Sequence, residues 1–290
     1  MAIVSETQKT QTVSGHRWVT LGLILALLIL RYLVTASQMA FSSVSWVAPT
    51  YEVGTYLLTA ILLIWESHSL PDYHITNFVI WLVILFKPLE TIYLSNLARL
   101  NSPLAFPKIP GLLIWLIALG LLWHFRTRLF TKGAVQKQDL RWVLLGALGG
   151  LVAVLIIAYP MSFQVSPPDP RGKYSVLSVL INGLKTIPYQ IGYAAVSEEP
   201  VFRGFLWGYL RKNGWRDVWI WLFQAGLFSL AHLYYINTAP ISFWFIVPLL
   251  ALVQGWLVWR SRSIATSMVA HGVANGLGYT MGYLVAIFRL

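Results

Sequence analysis

Charge is scarce in this 290-residue sequence: Asp, Glu, Lys and Arg make up 11% of it, 31 residues in all, where a soluble domain at about 25% would carry roughly 70. The deficit excludes an ordinary soluble enzyme, whose wetted surface must be charged. Cysteine is absent, which excludes a disulfide framework, a thiolate metal site and a cysteine nucleophile. The sequence also has no His-Glu-x-x-His, no Gly-x-Ser-x-Gly elbow and no Gly-x-Gly-Asp, so the zinc-helix, serine and aspartyl classes of protease lack their signatures. There is no fixed-period repeat and no low-complexity tract.

Apolar residues are plentiful at 57%, and they come in runs long enough to cross a hydrocarbon layer. Candidate spans fall near 18–37, 47–65, 78–98, 110–125, 142–160, 176–197, 218–236, 240–259 and 264–288. The third is interrupted by Lys87-Pro88 and followed by Glu90, so it reads as a kinked span or a re-entrant segment. The expected fold is an all-α, polytopic transmembrane helical bundle of eight or nine spans. A long polar tail and an internal Arg31 make the first run an uncleaved span rather than a signal peptide.

With the N-terminus inside, the inner segments hold Lys9, Arg17, Arg126, Arg128, Lys132, Lys137, Arg141, Arg211, Lys212, Arg216, Arg260 and Arg262, against Arg99, Lys108, Arg171, Lys173 and Arg289 outside. Nine spans with a cytoplasmic N-terminus therefore obey the positive-inside bias. The net charge of +11 is assigned mostly to cytoplasmic loops beside anionic lipid, not to nucleic acid. Trp18, Trp46, Trp65, Trp207, Trp215, Trp219 and Trp259 read as an interfacial belt. Arg31 and Lys185 read as snorkelling cations, with Lys185 able to face a cavity. The loop Ser166–Gly172 divides N-terminal helices without a motif, 1–170, from a C-terminal half, 171–290.

An ionisable group at the centre of a span costs roughly 2.5–3.5 kcal/mol on insertion scales, so one that persists is a functional candidate. Most of the ten acids fall in tails, loops or span ends. Glu198 and Glu199 form the only adjacent pair. Arg203 is one helical turn beyond Glu199 and can pair with it, leaving Glu198, about 100° around the helix, for another role. The competing reading makes Ser197 the cap of a helix whose first turn holds Glu198, Glu199 and Pro200. His232 and His271 also lie within predicted helices, and Asn275 shares a face with His271. Gly272, Gly276, Gly278 and Gly282 allow that last helix a close neighbour. If these groups converge, they form either a His-His-carboxylate site for a divalent metal or a carboxylate–imidazole pair activating water beside an oxyanion hole.

The strings Glu198-Glu199-x-x-x-Arg203, Phe228-x-x-x-His232 and His271-x-x-x-Asn275, in that order on successive apolar segments, resemble the CPBP family of intramembrane proteases. That family includes the eukaryotic CAAX-processing endoprotease and bacterial Abi-type proteins, and the resemblance covers roughly residues 175–288. It implies an endopeptidase with an active-site cavity inside the membrane and a CAAX protease-like catalytic core in the C-terminal half. In that scheme Glu198 is the general base, His232 positions the water, His271 and Asn275 stabilise the oxyanion, and Glu199 with Arg203 supports the site. Members have been regarded both as metalloproteases and as metal-independent glutamate proteases; a single divalent metal such as zinc, if bound, would take Glu198, His232 and His271. The implied partners are membrane lipid and a peptide or membrane-anchored protein substrate, with no nucleic acid. The implied location is a bacterial cytoplasmic membrane. Two other classes stay open: a catalytically silent immunity or scaffolding protein, and an ion- or proton-coupled transporter.

Overall fold

The computed structural model describes residues 2–40, 46–97, 107–165 and 176–289, and all regular structure among them is helical. The helices are α1 (Ala2–Ala40), α2 (Val47–Trp65), α3 (Asn77–Leu97), α4 (Ile109–Leu129), α5 (Lys137–Met161), α6 (Val176–Gln190), α7 (Val196–Glu199), α8 (Leu206–Lys212), α9 (Asp217–Leu230), α10 (Tyr235–Thr238), α11 (Val247–Ser261) and α12 (Ile264–Arg289). Five segments are long and apolar enough to cross a bilayer: Gly15–Met39, Val47–Trp65, Ile109–Leu129, Lys137–Met161 and Ser242–Ser261. The chain is a multi-pass membrane protein. Of the other four expected spans, 78–98 and 264–288 fall on α3 and α12, 176–197 runs past the end of α6, and 218–236 is cut short where α9 ends at Leu230. The expected domain boundary at Ser166–Gly172 lies outside the described residues, as do Arg99, Arg171 and Lys173.

Lys87-Pro88 does not break the third segment, because α3 runs through Pro88. Lys87 is fully buried there, 3.0 Å from Glu90 and 3.6 Å from Glu52, so the cation is neutralised inside the bundle rather than by water. Proline acts more visibly further on. Residues 176–212 form one helical rod in which Ile191–Ala195 and Pro200–Phe205 are π-helical. Pro200 brings no N–H for the carbonyl of Val196, and a wider turn is the local response to a missing helical bond. The two wide turns flank α7 and therefore set how Glu198 and Glu199 are aimed.

The last helix is held close by its glycines. A Cβ on Gly272 would come within 2.3 Å of Ile191 Cγ1, one on Gly276 within 2.8 Å of Ile187 Cγ1, and one on Gly282 within 2.6 Å of Met161 Cγ. The small-residue stripe thus brings α12 against α5 and the rod, and with it His271 against the acidic pair.

One expectation fails here. Trp207 is fully buried, donating to Asp217 at 2.9 Å, and so is not an interfacial ring; Trp18, Trp46 and Trp219 are exposed as expected. Lys185 is exposed, as a snorkelling cation requires, and is not among the residues lining the cavity described below.

Candidate functional site

A cavity of about 250 Å³ has walls that include Glu198, His232, His271 and Asn275. Glu198 comes from α7, His232 from just beyond the end of α9, and the other two from α12. Ser197 caps nothing: its hydroxyl donates to the Tyr193 carbonyl at 2.8 Å in the middle of the rod, which removes the capping explanation for the acidic pair.

Glu199 and Arg203 pair as their spacing predicts, with Arg203 Nη1 3.2 Å from Glu199 Oε1, both side chains fully buried. The Arg203 guanidinium also lies 4.0 Å from the centre of the Phe228 ring, a cation–π contact that helps an ion survive burial. The same Glu199 oxygen receives His271 Nδ1 at 2.9 Å. Since an ionised carboxylate only accepts, the Nδ1 of His271 carries the proton, and its Nε2 presents a lone pair in the neutral ring. That Nε2 faces Glu198 Oε2 at 3.8 Å.

His232 is fixed by the same logic. Its Nδ1 lies 2.8 Å from the Phe228 carbonyl, an acceptor, so the proton sits on Nδ1 and Nε2 accepts. The donor it faces is Arg31, with Nη2 at 3.1 Å. Arg31 Nη2 is also 2.9 Å from Glu198 Oε1, while His232 Nε2 and that oxygen are 3.9 Å apart, beyond hydrogen-bond reach. Arg31 is therefore the bridge between them. It does not snorkel; only 8% of it is exposed, because its counter-charge lies within the protein. Neighbouring side chains on α1 follow suit: Tyr32 donates to the Leu227 carbonyl at 2.9 Å and Thr35 to the Ala231 carbonyl at 2.7 Å. These polar side chains fasten α1 to the end of α9.

Asn275 reaches the cavity and donates to Gln190 at 3.3 Å. All six residues singled out in the sequence are thus brought together. Arg31 was missed, although the filter applied to acids and histidines, a charge in the middle of an apolar run, would have selected it.

A metal does not fit these residues. Among the described residues no three or more His, Asp or Glu side chains are placed to hold a metal ion, and a guanidinium already lies on both Glu198 Oε1 and His232 Nε2, where its charge opposes a second cation.

Residues 180–277 match the family described as Type II CAAX prenyl endopeptidase Rce1-like. The match covers about a third of the chain and supports a membrane protease. No curated protein and no solved structure matches the chain. The matched segment contains Glu198, Glu199, Arg203, His232, His271 and Asn275; Arg31 lies well outside it.

Proposed function

We propose that this protein is an intramembrane endopeptidase that hydrolyses a peptide bond of a membrane-associated protein or peptide, with Glu198 as general base. The observation that carries the reading is the pair Glu198 Oε2 and His271 Nε2, two acceptors 3.8 Å apart on the cavity wall. Glu198 Oε2 is buried and accepts no hydrogen bond from a protein group. Two facing acceptors at that distance cannot bond each other, and a water admitted as substrate enters can donate one hydrogen to each.

In the reaction, Glu198 Oε2 takes a proton from that water as its oxygen bonds to the scissile carbonyl carbon. The carbonyl oxygen becomes the oxyanion of a tetrahedral intermediate, and the amide of Asn275 is the donor available on the same wall. When the C–N bond breaks, the proton on Glu198 passes to the departing amine, which restores the carboxylate. Relative to the roles implied by resemblance, this geometry favours His271 over His232 as the water's second partner, because His232 Nε2 is occupied by Arg31. The nine-span topology with a cytoplasmic N-terminus goes with this reading.

The test compares membranes containing the parent chain with membranes containing Glu198→Gln, nearly isosteric but unable to act as a base, by mass-spectrometric profiling of newly formed peptide N-termini. New termini produced by the parent and absent from the variant are expected. An identical set of termini from both would rule the reading out.

A further inference from the structure

The cation paired with the proposed base comes from α1, far outside the segment that matches the family. Arg31 Nη2 lies 2.9 Å from Glu198 Oε1 and 3.1 Å from His232 Nε2. Its Nη1 reaches the Tyr51 hydroxyl at 3.4 Å. A carboxylate has two oxygens, and only one of these is engaged. The guanidinium holds Oε1; Oε2 stays on the side of His271 without a protein donor.

We propose that Arg31 is a positioning residue of the hydrolytic site: by bridging Glu198 Oε1 and His232 Nε2 it fixes the plane of the Glu198 carboxylate, with the second oxygen directed at His271 Nε2. The inference rests on the hydrolytic reading above. A fixed donor on one oxygen of a carboxylate restrains its last torsion, which otherwise has a broad, twofold profile. The donor is itself fixed, because Tyr32 and Thr35, on the same stretch of α1, tie the helix to the end of α9. His232 then serves as the second anchor of the guanidinium. The catalytic unit consequently spans the N-terminal helix and the segment that matches the family, and that segment alone does not complete it.

The position of Arg31 also separates this role from that of a latch. A latch would cover the oxygen that must take the proton; Arg31 covers the other one.

The experiment uses the full chain in liposomes and a synthetic peptide spanning the most abundant cleavage site found in the terminus profiling. Arg31→Ala is expected to lower kcat by about 10²-fold, the scale of a misplaced catalytic group, with KM little changed. Added guanidinium ion should restore part of the rate, while sodium or ammonium at the same ionic strength should not; Arg31→Lys should fall between parent and Arg31→Ala. Parental kcat in Arg31→Ala overturns the inference, and so does a raised kcat, which would make Arg31 a latch. A loss that guanidinium does not relieve also overturns it, because a purely structural role would behave that way. Activity surviving in Glu198→Gln sinks the hydrolytic reading itself, whereas an inactive Glu198→Gln beside a fully active Arg31→Ala sinks only the role of Arg31.

Discussion

Glu199 and His271, 72 positions apart in the chain, meet at 2.9 Å between Oε1 and Nδ1. The contact decides which face of the imidazole is an acceptor, and it ties the acidic pair of α7 to the glycine-rich α12. Arg203 on the same oxygen keeps that carboxylate from being an unpaired buried charge.

His271→Gln should lower kcat for cleavage by about 10²-fold, the scale of a reactant left out of position. Thermal unfolding should change little, since the Glu199–Arg203 pair survives. Steady-state kinetics on the synthetic peptide, alongside a melting curve in detergent, checks both halves.

Arg203→Met should destabilise the protein by about 3–5 kcal/mol, because it leaves Glu199 as an uncompensated buried charge. Adding Glu199→Leu in the same chain should return most of that stability, since an apolar pair of similar volume is often neutral, and activity should stay lost because His271 loses its acceptor. Denaturant unfolding of the single and double variants, with peptide cleavage in parallel, separates the two roles. Recovery of activity in the double variant would contradict the role given to Glu199.

Gly272→Ala should cost about 1–3 kcal/mol through overpacking, since its Cβ would meet Ile191 Cγ1 at 2.3 Å. In an Ile191→Ala background the same substitution should cost less. A double-mutant cycle in unfolding free energy measures the coupling, and strictly additive values would show that α12 can retreat from the rod without strain.

His74 sits between α2 and α3 at φ 58°, almost completely buried. Burial, with Arg211 and Arg262 nearby and only partly offset by Asp217, pushes its imidazole down to about 3. The unfolded chain takes up this proton near the ordinary value of about 6.5 and the folded chain only near 3, so stability falls as pH drops through that window. His74→Asn, which tolerates a left-handed backbone, should flatten the slope between those values. Unfolding midpoints measured across the window check it, and an unchanged slope would place the sensitivity elsewhere.

The helical class, five of the expected spans and the six residues that meet around Glu198 were legible in the sequence for one reason. Lipid-facing segments tolerate so little charge that each exception stands out, and an i,i+4 spacing such as Glu199–Arg203 fixes a shared face before any tertiary structure exists. Trp207 shows the limit of that logic. An aromatic ring near a span end suits the interface equally well or the core, and only its buried partner Asp217 decides between them.

The sequence by itself determined a charge-poor, multi-pass helical chain with a carboxylate pair, two histidines and an asparagine on successive apolar segments, because periodicity and scarcity are properties of the chain taken locally. Tertiary structure decided which oxygen of Glu198 is engaged, which nitrogen of each histidine accepts, and that Arg31 from the first helix joins the site. Those outcomes depend on donors and acceptors meeting across separations such as the 201 positions between Arg31 and His232. No local pattern encodes such a meeting; it follows from where the π turns aim the rod and from how closely the glycines let α12 approach.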